Sequence, residues 1–127
     1  MSKPIGKALA VDDEPTDLET IRQTLVRAGY EVATASDATR AMEIFQSDGS
    51  FNLLVTDVAM SPTNGCDLAA EMVRLKPNLR VVFISGYSGA QSFRYKGMAL
   101  ADVTFVSKPF NAEDLIAKVQ VKTDTAE

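Results

Sequence analysis

Ala8-Leu9-Ala10-Val11-Asp12-Asp13-Glu14-Pro15 is an apolar run of strand length that breaks abruptly into three acids and a proline. Beyond that break, Leu18, Ile21, Leu25 and Ala28 recur on one helical face, which predicts a helix over 16–28 with Gly29 as its terminating residue. The same strand-then-helix unit repeats along the chain. Residues 30–35 read as a second strand, and Ala38, Ala41, Met42 and Phe45 then fall at i, i+3, i+4 and i+7 of a second helix. Leu53-Leu54-Val55-Thr56 is a third strand ending at Asp57. Leu68, Ala69, Met72 and Leu75 mark a third helix, stopped before Pro77.

Val81-Val82-Phe83-Ile84 is a fourth strand ending at Ser85, and residues 103–106 form a fifth that ends at Ser107-Lys108. Ala112, Leu115, Ile116 and Val119 outline a last helix, with Asn111 as its N-cap. Residues 88–98 are polar and carry Gly89 and Gly97, so a helix is expected there by elimination only. Residues 123–127 read as a frayed tail beyond a core of about 7–120, and residues 1–127 as one domain. Repeated alternation of strand and helix predicts an α/β fold, a doubly wound parallel sheet with right-handed crossovers and helices on both faces. The strands lack polar alternation, as strands covered on both faces do.

Composition removes whole classes of chemistry. The chain of 127 residues has no histidine, which excludes histidine acid–base catalysis, histidine metal ligands and a phosphohistidine of its own. A lone Cys66 forms no internal disulfide, in keeping with a reducing compartment, and residues 1–5 lack a secretory apolar stretch. No apolar run reaches the length of a membrane span, so a cytoplasmic protein with no membrane partner is expected. The net charge of −4 gives no electrostatic footprint for nucleic acid.

In doubly wound sheets, ligands bind beyond the carboxyl ends of the strands. The residues there are Asp12, Asp13 and Glu14 after the first strand, Asp57 after the third, Ser85 after the fourth and Lys108 after the fifth. Crowded carboxylates repel by roughly 4 kcal/mol per pair at 4 Å and an effective dielectric near 20. Either a carboxyl stays protonated or a cation offsets the charge. An all-oxygen donor set with room for water suits Mg²⁺, whereas the absence of histidine argues against zinc. A carboxylate beside Mg²⁺, with a lysine and a hydroxyl near it, is equipped for phosphoryl transfer with Asp57 as nucleophile.

Four motifs in order, Val11-Asp12-Asp13-Glu14-Pro15, Asp57 with Met60 and Gly65, Ile84-Ser85-Gly86, and Lys108-Pro109-Phe110, resemble those of CheY-like receiver domains of two-component response regulators. The resemblance runs from Ala8 to about Val119 and implies a flavodoxin-like (βα)5 fold with strand order 2-1-3-4-5. It implies Asp57 as phosphoacceptor, with Asp12, Asp13, Asp57 and the Ala59 carbonyl as ligands of Mg²⁺. Ser85 and Lys108 would contact phosphoryl oxygens, and Phe105 falls at the family's switch aromatic. The implied donor is a histidine kinase or a histidine phosphotransfer protein. The implied output is a downstream protein docking on the face of the fourth helix, fifth strand and fifth helix. The domain would act as a signalling switch rather than an enzyme, catalysing only its own phosphorylation and dephosphorylation.

Three departures stand out: Ser61 separates Met60 from Pro62, Phe105 replaces the commoner tyrosine, and the expected fourth helix is unusually polar and glycine-bearing. The wording around Ser85 and Lys108 is similar to receivers attached to hybrid histidine kinases. Blander roles stand beside these: Asp12 and Asp13 as helix caps, Asp57 and Ser85 as turn residues, Lys108 as a solvated side chain and Phe105 as core. A phosphorylation-independent interaction module is the rival reading, motivated by Ser61-Pro62 and the polar stretch before the fifth strand. A phosphatase of the haloacid-dehalogenase type would need Asp-x-Asp where Asp12-Asp13 are adjacent. A flavodoxin would place its phosphate against those same acids.

Overall fold

The computed structural model describes residues 4–60, 64–85, 103–107 and 110–124. Along the chain run β1 (Gly6–Val11), α1 (Pro15–Ala28), β2 (Tyr30–Ala35), α2 (Ala38–Ser47), β3 (Leu53–Asp57), α3 (Gly65–Leu75), β4 (Arg80–Ser85), β5 (Val103–Ser107) and a C-terminal helix, here α4 (Ala112–Asp124). The five strands are all parallel and lie in the order β2-β1-β3-β4-β5. That is the doubly wound, flavodoxin-like arrangement, with its order reversing between β1 and β3. The helix expected within 88–98 lies outside the described residues.

Strand alternation sorts the core into two layers. Leu9, Val11, Leu54, Val81 and Phe83 pack with Ala41 and Phe45 of α2 and with Leu68 and Met72 of α3. Ala8, Ala10, Leu53, Val55, Val82 and Ile84 face the other way, against Ile21 and Leu25 of α1 and Leu115 and Val119 of α4. Residues of β1 and β3 are buried on both faces, which is why these strands read as unbroken apolar runs.

Local chemistry sets the helix ends. Pro15 occupies the first turn of α1, where its missing N–H costs nothing. Gly29 closes α1 at φ 109°, a left-handed conformation that glycine adopts freely. The Asp37 side chain caps α2 through the Arg40 N–H at 2.8 Å, and Asn64 caps α3 through the Asp67 N–H at 2.8 Å. Asn111 accepts from the Asp114 N–H at 2.8 Å, as expected of the residue before α4. The tail expected at 123–127 overlaps the end of the last helix. Thr123 and Asp124 fall in the last turn of α4, and 125–127 lie outside the described residues.

Candidate functional site

Sheet register brings the acids together. Val11 of β1 pairs with Thr56 of β3, so the next residues, Asp12 and Asp57, stand side by side at the carboxyl edge. The Asp12 N–H donates to the Ala35 oxygen at 3.3 Å, extending the β1–β2 ladder by one residue. Carboxylate oxygens of Asp12, Asp13 and Asp57 all lie within 4.8 Å of one another. Asp12 and Asp57 are buried and Asp13 is exposed, so the cluster has a closed floor and an open mouth.

Two of the blander roles can be set against this geometry. Neither Asp12 nor Asp13 caps α1: the N-cap is Glu14, which makes no side-chain capping bond. Instead Asp12 Oδ1 accepts from the Glu14 N–H at 2.9 Å, an Asx-type turn that steers the chain from β1 into the helix. Asp57 Oδ1 accepts from the Ala59 N–H at 3.3 Å, which turns the chain back over the Asp57 side chain directly after β3.

The peptide after Asp57 is held on several sides. The Val58 N–H donates to the Ile84 oxygen at 2.9 Å, and the Gly65 N–H donates to the Val58 oxygen at 2.9 Å. The Thr56 hydroxyl donates to the Asp57 main-chain oxygen at 3.1 Å. Gly65 opens α3 so close to this turn that a Cβ there would lie 2.0 Å from the Asp57 oxygen. A glycine at this place is therefore a packing requirement. Its spacing from Asp57 was legible in the sequence, whereas Thr56 passed as an ordinary β-branched strand residue. A polar side chain in a run buried on both faces, next to Asp57, was the available signal.

Ser85 ends β4 in register with Ser107, and Phe105 lies in β5 in register with Phe83; both are placed here as backbone positions. Lys108, Ser61 and Pro62 lie outside the described residues. Asp12, Asp13 and Asp57 are thus brought together, with the Ala59 backbone beside them.

The donor set fits a hard divalent cation. Mg²⁺ takes oxygen ligands at about 2.1 Å, so opposite corners of its octahedron are about 4.2 Å apart. Of three oxygens on one such ion at least two pairs are adjacent, about 3.0 Å apart, so carboxylate oxygens within 4.8 Å of one another would draw together around it. The exposed side at Asp13 leaves positions for water, which Mg²⁺ gives up reluctantly. Unscreened by a cation, each pair of carboxylates at this separation repels by about 3.5 kcal/mol at an effective dielectric near 20.

Comparison with known proteins gives a consistent picture. Residues 8–120 match the family profile described as response regulator receiver domain. The chain is 34% identical over 114 residues to the alginate biosynthesis transcriptional regulatory protein AlgB of Pseudomonas aeruginosa, of which it spans 25% while 90% of its own length is covered. It is 29% identical to the response regulator receiver protein CpdR of Brucella abortus, with 90% of this chain and 93% of that protein covered. The crystal structure of a response regulator receiver protein from Sinorhizobium medicae superposes with a TM-score of 0.83 at 28% identity, covering 96% of this chain and 97% of that one. Among the described residues, no helix is long and apolar enough to cross a membrane.

Proposed function

We propose that this chain, which belongs to the response regulator receiver domain family of two-component signalling proteins, takes a phosphoryl group onto Asp57 and changes conformation in response. The observation that carries the proposal is the trio of carboxylates within 4.8 Å at the strand ends, two buried and one exposed. Three observations support Asp57 as the reacting member: it closes β3, the Ala59 N–H bonds its side chain, and Asp12 and Asp13 flank it. Asp12, Asp13, Asp57 and the Ala59 carbonyl would hold Mg²⁺. When bound, the ion supplies positive charge that offsets the phosphoryl oxygens and the crowded carboxylates.

The residues of this chain do the rest. An Asp57 carboxylate oxygen attacks phosphorus in line, the donor's P–N bond breaks, and its electron pair returns to the leaving imidazole. The donor is a phosphohistidine on a histidine kinase or phosphotransfer protein, since this chain contains no histidine. Asp12 and Asp13 keep the carboxylate oriented and the cation in place. Lys108 is assigned to one phosphoryl oxygen and Ser85 to another, each through a charge-assisted bond. Movement of Ser85 toward the new group, with Phe105 turning inward, would remodel the face around β5 and α4 for a downstream protein. Converting such an equilibrium from rare to dominant takes about 5 kcal/mol of differential interaction.

The test is chemical. Incubated with acetyl phosphate and Mg²⁺, the intact protein is expected to gain one phosphoryl mass, and Asp57→Ala to gain none. No mass gain in the unaltered protein, or the same gain in Asp57→Ala, would overturn the assignment.

A further inference from the structure

We infer that Thr56 is a positioning residue for phosphorylation, its hydroxyl fixing the peptide plane from which the acceptor carboxylate and the Ala59 carbonyl are both hung. The inference rests on Asp57 being the acceptor.

Thr56 is fully buried, and in β3 it follows the face of Leu54, toward α3, while Asp57 follows that of Leu53 and Val55. A Cβ on Gly65 would come within 3.0 Å of the Thr56 oxygen, which places the hydroxyl against the first turn of α3. A buried hydroxyl costs stability unless it finds a partner, so an apolar β-branched residue would serve packing equally well here. The partner that Thr56 finds is the main-chain oxygen of Asp57, at 3.1 Å.

That bond completes a clamp. The Asp57–Val58 peptide presents its oxygen to the Thr56 hydroxyl and its N–H to the Ile84 oxygen, so both ends of the plane are held. Rotation of this plane changes ψ of Asp57 and φ of Val58 together. It would therefore swing the Ala59 N–H away from Asp57 Oδ1 and move the Ala59 carbonyl with it. Val58 is tied in turn to Gly65, so the turn after Asp57 has two backbone anchors and one side-chain anchor from β3 itself. An in-line attack loses rate steeply when its nucleophile is misaimed. Thr56 acts on that aim without touching the phosphoryl group.

Valine is the informative replacement, being nearly isosteric and lacking only the hydroxyl. In Thr56→Val the rate of phosphoryl gain from acetyl phosphate at saturating Mg²⁺ is expected to fall about fivefold, the size commanded by one neutral hydrogen bond. The thermal midpoint should fall by only a few degrees, with the transition still cooperative. In the absence of Mg²⁺, amide hydrogen exchange at Val58 and Ala59 should accelerate by a similar factor. Thr56→Ser, which keeps the donor, should restore rate and protection to within about twofold.

Unaltered phosphorylation in Thr56→Val, or Thr56→Ser as slow as Thr56→Val, would overturn the inference. So would a rate loss seen only together with a lost thermal transition, since the hydroxyl would then serve the core alone. If the unaltered protein takes no phosphoryl group while Val58 exchange responds as described, the Asp57 reading is what has failed.

Discussion

At Gly65 the backbone of α3 comes so near the main-chain oxygen of Asp57 that a methyl group there would sit 2.0 Å away. No flexible side chain can yield, because the obstacle is backbone. Gly65→Ala is therefore expected to lower stability by about 2–3 kcal/mol, read as a drop in the chemical-denaturation midpoint. Phosphorylation at Asp57 should suffer as well, because the shift needed to relieve the clash passes directly to the acceptor. The neighbouring Cys66 behaves oppositely. Burial pushes its thiol up to about 11, so at neutral pH little thiolate exists. Alkylation by iodoacetamide should be slow in the folded protein and accelerate on unfolding in urea; equal rates in the two states would contradict the burial. Asp57→Asn removes one of three clustered negative charges, relieves two of the three repulsions and is expected to raise the melting temperature in EDTA. Calorimetry in the absence of divalent ions measures this directly.

Elements differ in how plainly the sequence announces them. The strand bounds of β2 match the expected ones, since Tyr30 to Ala35 is framed by Gly29 and by the Asp37 cap. Starts were harder. β1 begins at Gly6 rather than Ala8, because the polar Lys7 pairs in register with Glu31 and does not look like a strand residue in isolation. α3 begins at Gly65, ahead of its first periodic apolar residue, because Asn64 caps it there. The acids at the strand ends were legible because their meaning lies in position along the chain. The Thr56 hydroxyl was not, because its bond depends on how α3 seats against β3. Removing the cap in Asn64→Ala is expected to cost about 1 kcal/mol. In α1, Arg22 bonded to Glu19 holds that carboxyl down at about 2, below its ordinary 4.5. A depressed carboxyl contributes stability above its unfolded value and loses it as pH falls. The thermal-midpoint difference between the unaltered protein and Glu19→Gln should thus persist above pH 4.5 and vanish as pH drops toward about 2. Because the pair is exposed, that difference should also shrink in high salt.

Across the whole molecule, the fold and the site share one cause. A parallel sheet with its order reversing between β1 and β3 puts the ends of those two strands beside each other, with Asp12 just past the one and Asp57 closing the other. Titrating Mg²⁺ into the protein should accordingly raise its melting temperature, by mass action on the folded form alone. The gain should be lost in Asp12→Asn and in Asp57→Asn; an equal gain in either would place the ion elsewhere. The Val11–Thr56 pairing also bears on how the gene can vary in length. Side chains on a strand change face at every residue, so deleting one codon within Gly6–Val11 would turn Leu9 and Val11 away from their layer. It would also leave the acids one step, about 3.3 Å, out of alignment. Insertions and deletions tolerated by selection should therefore collect at the exposed Gly49 and Ser50, between α2 and β3, and be missing from the six codons of β1. A library of single-codon deletions, sorted for Mg²⁺-dependent folding, would show the gap as a reading-frame-sized blank.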